Sequence, residues 1–420
     1  MIYCQNILLS VWTLILYKIY KPKTTDMDEL VTPKEYSDIC PFSDGEFHSK
    51  MEKMVTEDGF KHAVTWVMPD IDYDAFCKQL LLIDNKKDFQ YKVMFPFLEM
   101  LAAKTTDGIS DCGVEQNVEY DKAYTMMTNH RDIVLDASFL NLALLRHKSR
   151  TTEVAIGDNL LIYDWIETLV RLNKSIIVKR DVGMRHALEA AVQLSGYIHF
   201  AITQKKESVW IAQRQGRAKD SSDETQESLI KMLSIAGGNS FLDNILELNI
   251  MPVAISYELD PNDYLKAREF LLKKKNPDFK KTQRDDLFSM ETGLLQNKGK
   301  VHFTFTGCIN DDIEKLRDLD KKEQLNNVCQ IIDKRIHGNY RIYPGNYIAF
   351  DERYNTDRFK NEYTDDDIEK FNSYINKQLD KVQNEVDFEI SGEEREYMHG
   401  LMLVMYSNPL VNKLTATGMM

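Results

Sequence analysis

The sequence predicts an α/β fold: a central mixed, mostly parallel sheet flanked by helices, with an N-terminal helical region and a charged helical C-terminal extension. Three observations predict it. Between residues 119 and 310, short apolar runs alternate with longer segments of helical period, the pattern of a sheet with helices packed on it. Ahead of it, residues 27–118 carry apolar positions at roughly helical spacing. Behind it, residues 311–420 are charged helical stretches around a turn-rich centre, His337-Gly338-Asn339 to Pro344-Gly345-Asn346. With 420 residues and 43% hydrophobic content, the chain has room for more than one domain and a sizeable core.

Residues 1–26 stand apart. Ile7 to Tyr17 is apolar except for Ser10 and Thr13, shorter than the ~20 residues of a spanning helix. No basic residue precedes it, and Lys18, Lys21 and Lys23 follow, so it makes a poor signal peptide. It fits a weak anchor, an amphipathic surface segment or an extension ahead of a start at Met27. The last is favoured, because Met27-Asp28-Glu29 opens a polar, more ordinary domain start. In the N-terminal region, Tyr73–Ile83 and Val93–Ala103 read as helices, with Asp70 or Asp72 as a cap for the first. Thr105–Gly113 reads as a loop. In the α/β region the expected strands are Tyr124–Thr128, Ser175–Val178, Val209–Ala212, Met251–Tyr257 and Val301–Thr306. The expected helices are Ile133–Leu145, Leu160–Leu172, Met184–Gly196 and Gln226–Ala236.

A net charge of −13 argues against a general nucleic-acid binder. The average hides a reversal: from Arg171 to Lys219 there are ten Lys/Arg against three Asp/Glu. A basic island in an acidic protein suggests a place built for an anion. The six cysteines lie far apart without a Cys-x-x-Cys, which fits a reducing, cytoplasmic compartment.

The densest chemistry is Asn129-His130-Arg131-Asp132-Ile133-Val134-Leu135-Asp136, at a strand-to-helix junction where α/β proteins place sites. Asp132 suits a helix N-cap, and Asp136 falls one turn later on the same face. A histidine with a carboxylate beside it is a general base with an orienting partner; the plain alternative is a surface histidine beside a capping aspartate. His130-Arg131-Asp132 imitates a kinase catalytic loop, but Ala137 stands where that loop needs Asn.

Asn129-His130 with a following Asp resembles the first motif of the phospholipid/glycerol acyltransferases, the lysophosphatidate and glycerol-3-phosphate acyltransferase superfamily. Their motif places the Asp after four intervening residues. Here five separate His130 from Asp136 and one separates it from Asp132, so Asp136 is the favoured partner and Asp132 the alternative. Ser175 to Arg180 looks like the second motif. Trp210-Ile211-Ala212-Gln213-Arg214-Gln215-Gly216-Arg217 looks like the third, with Gln215 where many members have Glu. Pro252-Val253-Ala254-Ile255 looks like the fourth. The resemblance covers roughly residues 119–310, the expected acyltransferase domain.

The resemblance implies a glycerolipid acyltransferase-like fold and an O-acyltransferase of phospholipid biosynthesis. His130 would deprotonate the acceptor hydroxyl, and Asp136 or Asp132 would hold the histidine. Arg180, Arg214 and Arg217 would grip a phosphate bidentately, with Lys179 and Lys219 as helpers. Gly216 would allow close backbone approach, and Pro252 would line the site. The implied donor is acyl-CoA or acyl carrier protein. The acceptor is glycerol-3-phosphate or 1-acylglycerol-3-phosphate, or alternatively an acyl-amino-acid lipid with a free hydroxyl. No metal or bound cofactor is implied, and peripheral contact with the cytoplasmic membrane face is expected. A non-catalytic lipid- or carrier-protein-binding module on the same fold is the reading from another class.

Overall fold

The computed structural model describes residues 30–180 and 183–420. The apolar run Ile7–Tyr17 and the expected start at Met27 lie outside the described residues. The chain forms two compact units: one runs to Met100 and includes Leu161–Ile177, and the other comprises Leu101–Leu160 and Val178–Met420.

The first unit is helical. Helices Asp44–Val55, Asp58–Val67, Tyr73–Leu80 and Asp164–Leu172 enclose a core that includes Phe47, Met51, Phe60, Leu80 and Leu172. Asp72 accepts from Ala75 N at 3.0 Å and so caps the helix that follows. The expected helix Leu160–Leu172 was grouped with the α/β region, but it belongs here. Its apolar stripe of Trp165, Leu169 and Leu172 completes this unit's core, a contact that sequence adjacency does not disclose.

The second unit is built on the sheet. Its strands are β1 (Ile109–Cys112), β2 (Thr125–Thr128), β3 (Glu153–Gly157), β4 (Ser175–Val178), β5 (Val209–Ala212), β6 (Ile250–Tyr257) and β7 (Val301–Phe305). Within this unit the order is β1-β7-β6-β2-β5-β3, and Ser175–Ile177 of β4 belong to the first unit. β2 pairs parallel with β5 and β6, β3 with β5, and β1 with β7; β6 and β7 are antiparallel. The expected mixed, mostly parallel sheet is therefore present. The loop expected at Thr105–Gly113 contains β1 instead. Ile109-Ser110-Asp111-Cys112 has too little apolar pattern to signal a strand, and its pairing with β7 makes it one. β3 was likewise not expected.

Helix α1 (Leu135–Arg146) follows β2 and is buried nearly all round, as a helix apolar on every face should be. α2 (Met184–Phe200) precedes β5. Because β7 runs antiparallel to β6, the chain must leave and re-enter the sheet at the same end. The connection is a pair of helices, α3 (Asp263–Lys275) and α4 (Gln283–Leu295), standing at the carboxyl end of β2, β5 and β6.

The C-terminal helices are α5 (Lys321–Gly338), α6 (Pro344–Tyr354), α7 (Asp365–Asn384) and α8 (Gly392–Thr417). Their charge is one-sided. Phe371, Ile375, Leu379 and Val382 form a helical stripe on α7 and share a core with Tyr264 and Leu271 of α3 and Met398 and Met402 of α8. Composition set residues 311–420 apart as an extension and divided the chain at residue 118. In space both 101–118 and 311–420 belong to the unit that contains the sheet.

Candidate active site

β2 ends at Thr128, and the next side chain extends the ladder that the backbone abandons. Asn129 Oδ1 accepts from Ile255 N at 2.8 Å, and its Nδ2 donates to Ile255 O at 3.0 Å. The fully buried Asn129 amide thus replaces a peptide unit beside β6. His130 follows, and its Nδ1 lies 2.8 Å from Asp136 Oδ2. The same oxygen accepts from Arg131 N at 2.6 Å and Asp132 N at 3.1 Å. A carboxylate oxygen of this kind acts as acceptor, so Nδ1 carries a proton, and in the neutral ring that leaves the lone pair on Nε2. Nε2 has no hydrogen-bond partner among the described residues. The imidazole rests edge-on against Trp210 of β5, centroids 5.8 Å apart. The Tyr257 hydroxyl is buried next to Asp136, and burial followed by the charges of Asp136 and Asp132 pushes its pKa well up.

Asp132 faces elsewhere. Its Oδ1 accepts from Val134 N at 2.9 Å and Leu135 N at 2.7 Å. These bonds close a turn ahead of α1, which starts at Leu135 rather than at the expected Ile133 and has Val134, not the expected Asp132, at its N-cap. Burial, then the Asp136 charge, raises the Asp132 pKa, against the pull of the Leu135 N–H and Arg217. Its other oxygen lies so close to α4 that a Cβ built on Gly293 would sit 2.0 Å from it.

His130 opens onto a cavity of about 360 Å³ rich in cationic side chains. Arg180, Arg214, Gly216, Arg217 and Lys219 line it with His130. Arg180 lies across β3: its N donates to Asp158 Oδ1 at 3.1 Å and its Nη1 to Asn159 Oδ1 at 3.3 Å. A Cβ on Gly157 would come within 2.5 Å of its Nε, so glycine makes room for the guanidinium. Arg214 has its Nε buried without a hydrogen-bond partner. In the amide orientation that satisfies both its atoms, Asn262 accepts from Arg217 Nη1 at 3.1 Å and donates to Ser289 O at 3.0 Å. Neither Arg214 nor Arg217 forms an ion pair among the described residues. Lys219 is paired with Glu269, and burial lowers its pKa.

Two expectations need correction, for Lys179 and Pro252. Lys179 is not among the residues lining the cavity; its Nζ donates to Gln193 Oε1 at 3.1 Å on α2. Pro252 also lies outside it, paired with Met127 inside the sheet. Gly216 has φ +70°, with nothing within 4 Å of a Cβ built there. That left-handed backbone conformation favours glycine, and Gly216 lies on the cavity wall.

Sequence reasoning missed the cations of the α3–α4 excursion. Lys266, Arg268 and Lys281 line the same cavity, each held by a carboxylate: Asp260 at 2.5 Å, Asp285 at 3.3 Å and Asp286 at 2.8 Å. No motif marks them, because they lie past the fourth motif and reach the cavity through the antiparallel return to β7. Arg131, beside His130, was also unread. It forms a buried ion pair with Asp223, which also accepts from the Tyr340 hydroxyl at 2.8 Å. Asn408 donates to Asp220 O at 2.7 Å, and Asn412 to Ser221 O and Ser222 O at 3.1 Å. The C-terminal helices therefore fix the loop that carries Arg214, Arg217 and Lys219. Among the described residues, no cluster of three His, Cys, Asp or Glu side chains is placed to hold a metal ion.

Comparison with known proteins adds little to this geometry. No protein-family model matches the chain, and neither does any curated protein. Among solved structures, the chain is similar to the 1-acyl-sn-glycerophosphate (LPA) acyltransferase PlsC from Thermotoga maritima. That likeness has 11% identity and a TM-score of 0.31, covering 68% of this chain and 91% of that one. A likeness so remote carries no functional weight, and the chemistry rests on the residues themselves.

Proposed function

We propose that the chain is an O-acyltransferase that moves an acyl group from a thioester, acyl-CoA or acyl carrier protein, to the hydroxyl of a phosphorylated acceptor. Glycerol-3-phosphate and 1-acylglycerol-3-phosphate are the first candidate acceptors. One observation carries the reading: His130 is tethered through Nδ1 to Asp136, while its ring lines a cavity that also holds Arg214 and Arg217. A base with its lone pair free beside two guanidiniums without counter-ions suits a substrate that has both a hydroxyl and a phosphate. The resemblance of the four motif segments points the same way.

The step balances without a covalent enzyme intermediate. His130 Nε2 takes the hydroxyl proton as the oxygen attacks the thioester carbonyl. The C–S bond breaks as the tetrahedral centre collapses, and the departing sulfur receives the proton from His130. Asp136 keeps the imidazole in the right tautomer and stabilises its positive charge. Arg214, Arg217 and Arg180 hold the acceptor phosphate, so that its hydroxyl meets a fixed base. A lipid product favours peripheral contact at the cytoplasmic membrane face. No described helix is long and apolar enough to cross a membrane.

The test is thiol release from acyl-CoA and acyl carrier protein, with each acceptor offered separately. Acceptor-dependent release that His130→Ala abolishes supports the reading and names the substrate. Folded protein that binds a phosphorylated acceptor without releasing thiol from any donor overturns it in favour of a binding module.

A further inference from the structure

A second cavity, of about 520 Å³, lies among β7, the segment after α5, and helices α6 and α8, and shares no lining residue with the first. Its floor is apolar: Leu410 and Leu414 are buried there, with Ile342, Tyr347 and Phe359 packed against them. Its polar wall is cationic. Arg341 Nη1 donates to Ser110 Oγ at 3.2 Å, and Lys413 Nζ donates to Tyr340 O at 2.6 Å. Neither cation forms an ion pair among the described residues. His302 completes the wall, its Nδ1 2.8 Å from Ser110 Oγ. Burial and the Arg341 charge push His302 down to about 4, so the ring is neutral near pH 7. The one acidic lining residue is the exposed Glu362.

Burial depresses the Lys413 pKa, the mark of an ammonium partly stripped of water. Holding such a group without a counter-ion is costly, and an anion placed beside it relieves the cost. An apolar floor beneath cations specifies the rest of the ligand. We propose that this cavity binds a single-chain amphiphile, with its anionic head on Arg341 and Lys413 and its alkyl chain over Leu410 and Leu414.

Octyl phosphate below its micelle concentration is the probe, titrated calorimetrically into the full chain with Arg214→Met and Arg217→Met in place to silence the first cavity. Binding is expected, weakened ~10-fold or more by Arg341→Met or Lys413→Met, the loss of one charge-assisted hydrogen bond. Octanol and inorganic phosphate are each expected to bind at least ~10-fold more weakly than octyl phosphate. Arg341 is exposed, so its substitution leaves the fold intact and the result readable. Equal affinity for octanol, or binding indifferent to both substitutions, overturns the proposal. Thiol release plays no part in this readout, so the site stands or falls apart from the acyl-transfer reading.

Discussion

Arg131 and Asp223 form a buried two-point ion pair, Nη2 to Oδ2 at 2.5 Å and Nη1 to Oδ1 at 3.0 Å, between residues 92 apart in sequence. It ties the turn carrying His130 to the loop carrying Arg214 and Arg217. His130 and the two arginines are thereby held at a fixed separation.

Breaking this pair leaves the other charge buried alone. Asp223→Ala is expected to cost ~3–5 kcal/mol of folding stability, read as a lower urea midpoint. Tyr340→Phe removes only a hydroxyl donor to the same carboxylate and is expected to cost ~1 kcal/mol. A small effect of Asp223→Ala would show that the pair does not anchor the loop.

The two aspartates near His130 separate by phenotype. Loss of the base in His130→Ala is expected to lower kcat ~10²–10⁴-fold. Asp136→Asn should lower kcat as well, because it disturbs the imidazole tautomer. Asp132→Asn keeps an oxygen that can accept from Val134 N and Leu135 N and should leave kcat within a few-fold. The reverse order, measured by steady-state thiol release, would assign the orienting role to Asp132.

The cavity cations separate by KM. Arg214→Met and Arg217→Met are each expected to raise the acceptor KM ~10-fold or more, the worth of a charge-assisted hydrogen bond. Lys179→Met is expected to leave it unchanged, since Lys179 is held by Gln193 away from the cavity. Gly157→Ala should raise KM by displacing the flexible Arg180 end with little loss of stability. Gly293→Ala should destabilise, because its Cβ meets the buried Asp132 carboxylate.

Asp263 predicts a pH dependence of stability. It is fully buried and accepts from Tyr374, Tyr406 and Gln378, each at 2.7 Å. Burial, then the nearby Asp260, raises its pKa to about 6, against ~3.9 unfolded. The folded state therefore holds this proton more tightly. Asp263's contribution is complete below pH ~4 and lost as pH rises through about 6, for a total on the order of 3 kcal/mol. Urea midpoints of wild type and Asp263→Asn between pH 4 and 7 should diverge by that amount, with the variant gaining relative to wild type as pH rises. A constant difference would rule out the titration.

Much of this molecule is legible in its sequence, because the deciding physics is local. The apolar run that becomes α1 reads as a helix, and the buried Thr125–Thr128 reads as a strand, from their own residues. The run from Asn129 to Asp136 shows a base with carboxylates in reach, and the basic island around Arg180 to Lys219 shows where an anion would be held. Sequence spacing could not decide which carboxylate the imidazole meets. That choice follows from how the turn folds when the Asn129 amide locks onto Ile255 and Asp136 gathers two backbone N–H groups.

Tertiary structure alone decided the rest, because the partners lie far apart along the chain. β1 is a strand only through its pairing with β7. Lys266, Arg268 and Lys281 reach the cavity only because β7 returns antiparallel to β6. Lys179 and Pro252 do not line it, one turned to α2 and the other paired with Met127 in the sheet. Local pattern marks most of the strands and helices and many of the residues that carry chemistry. Long-range pairing fixes which of those residues meet.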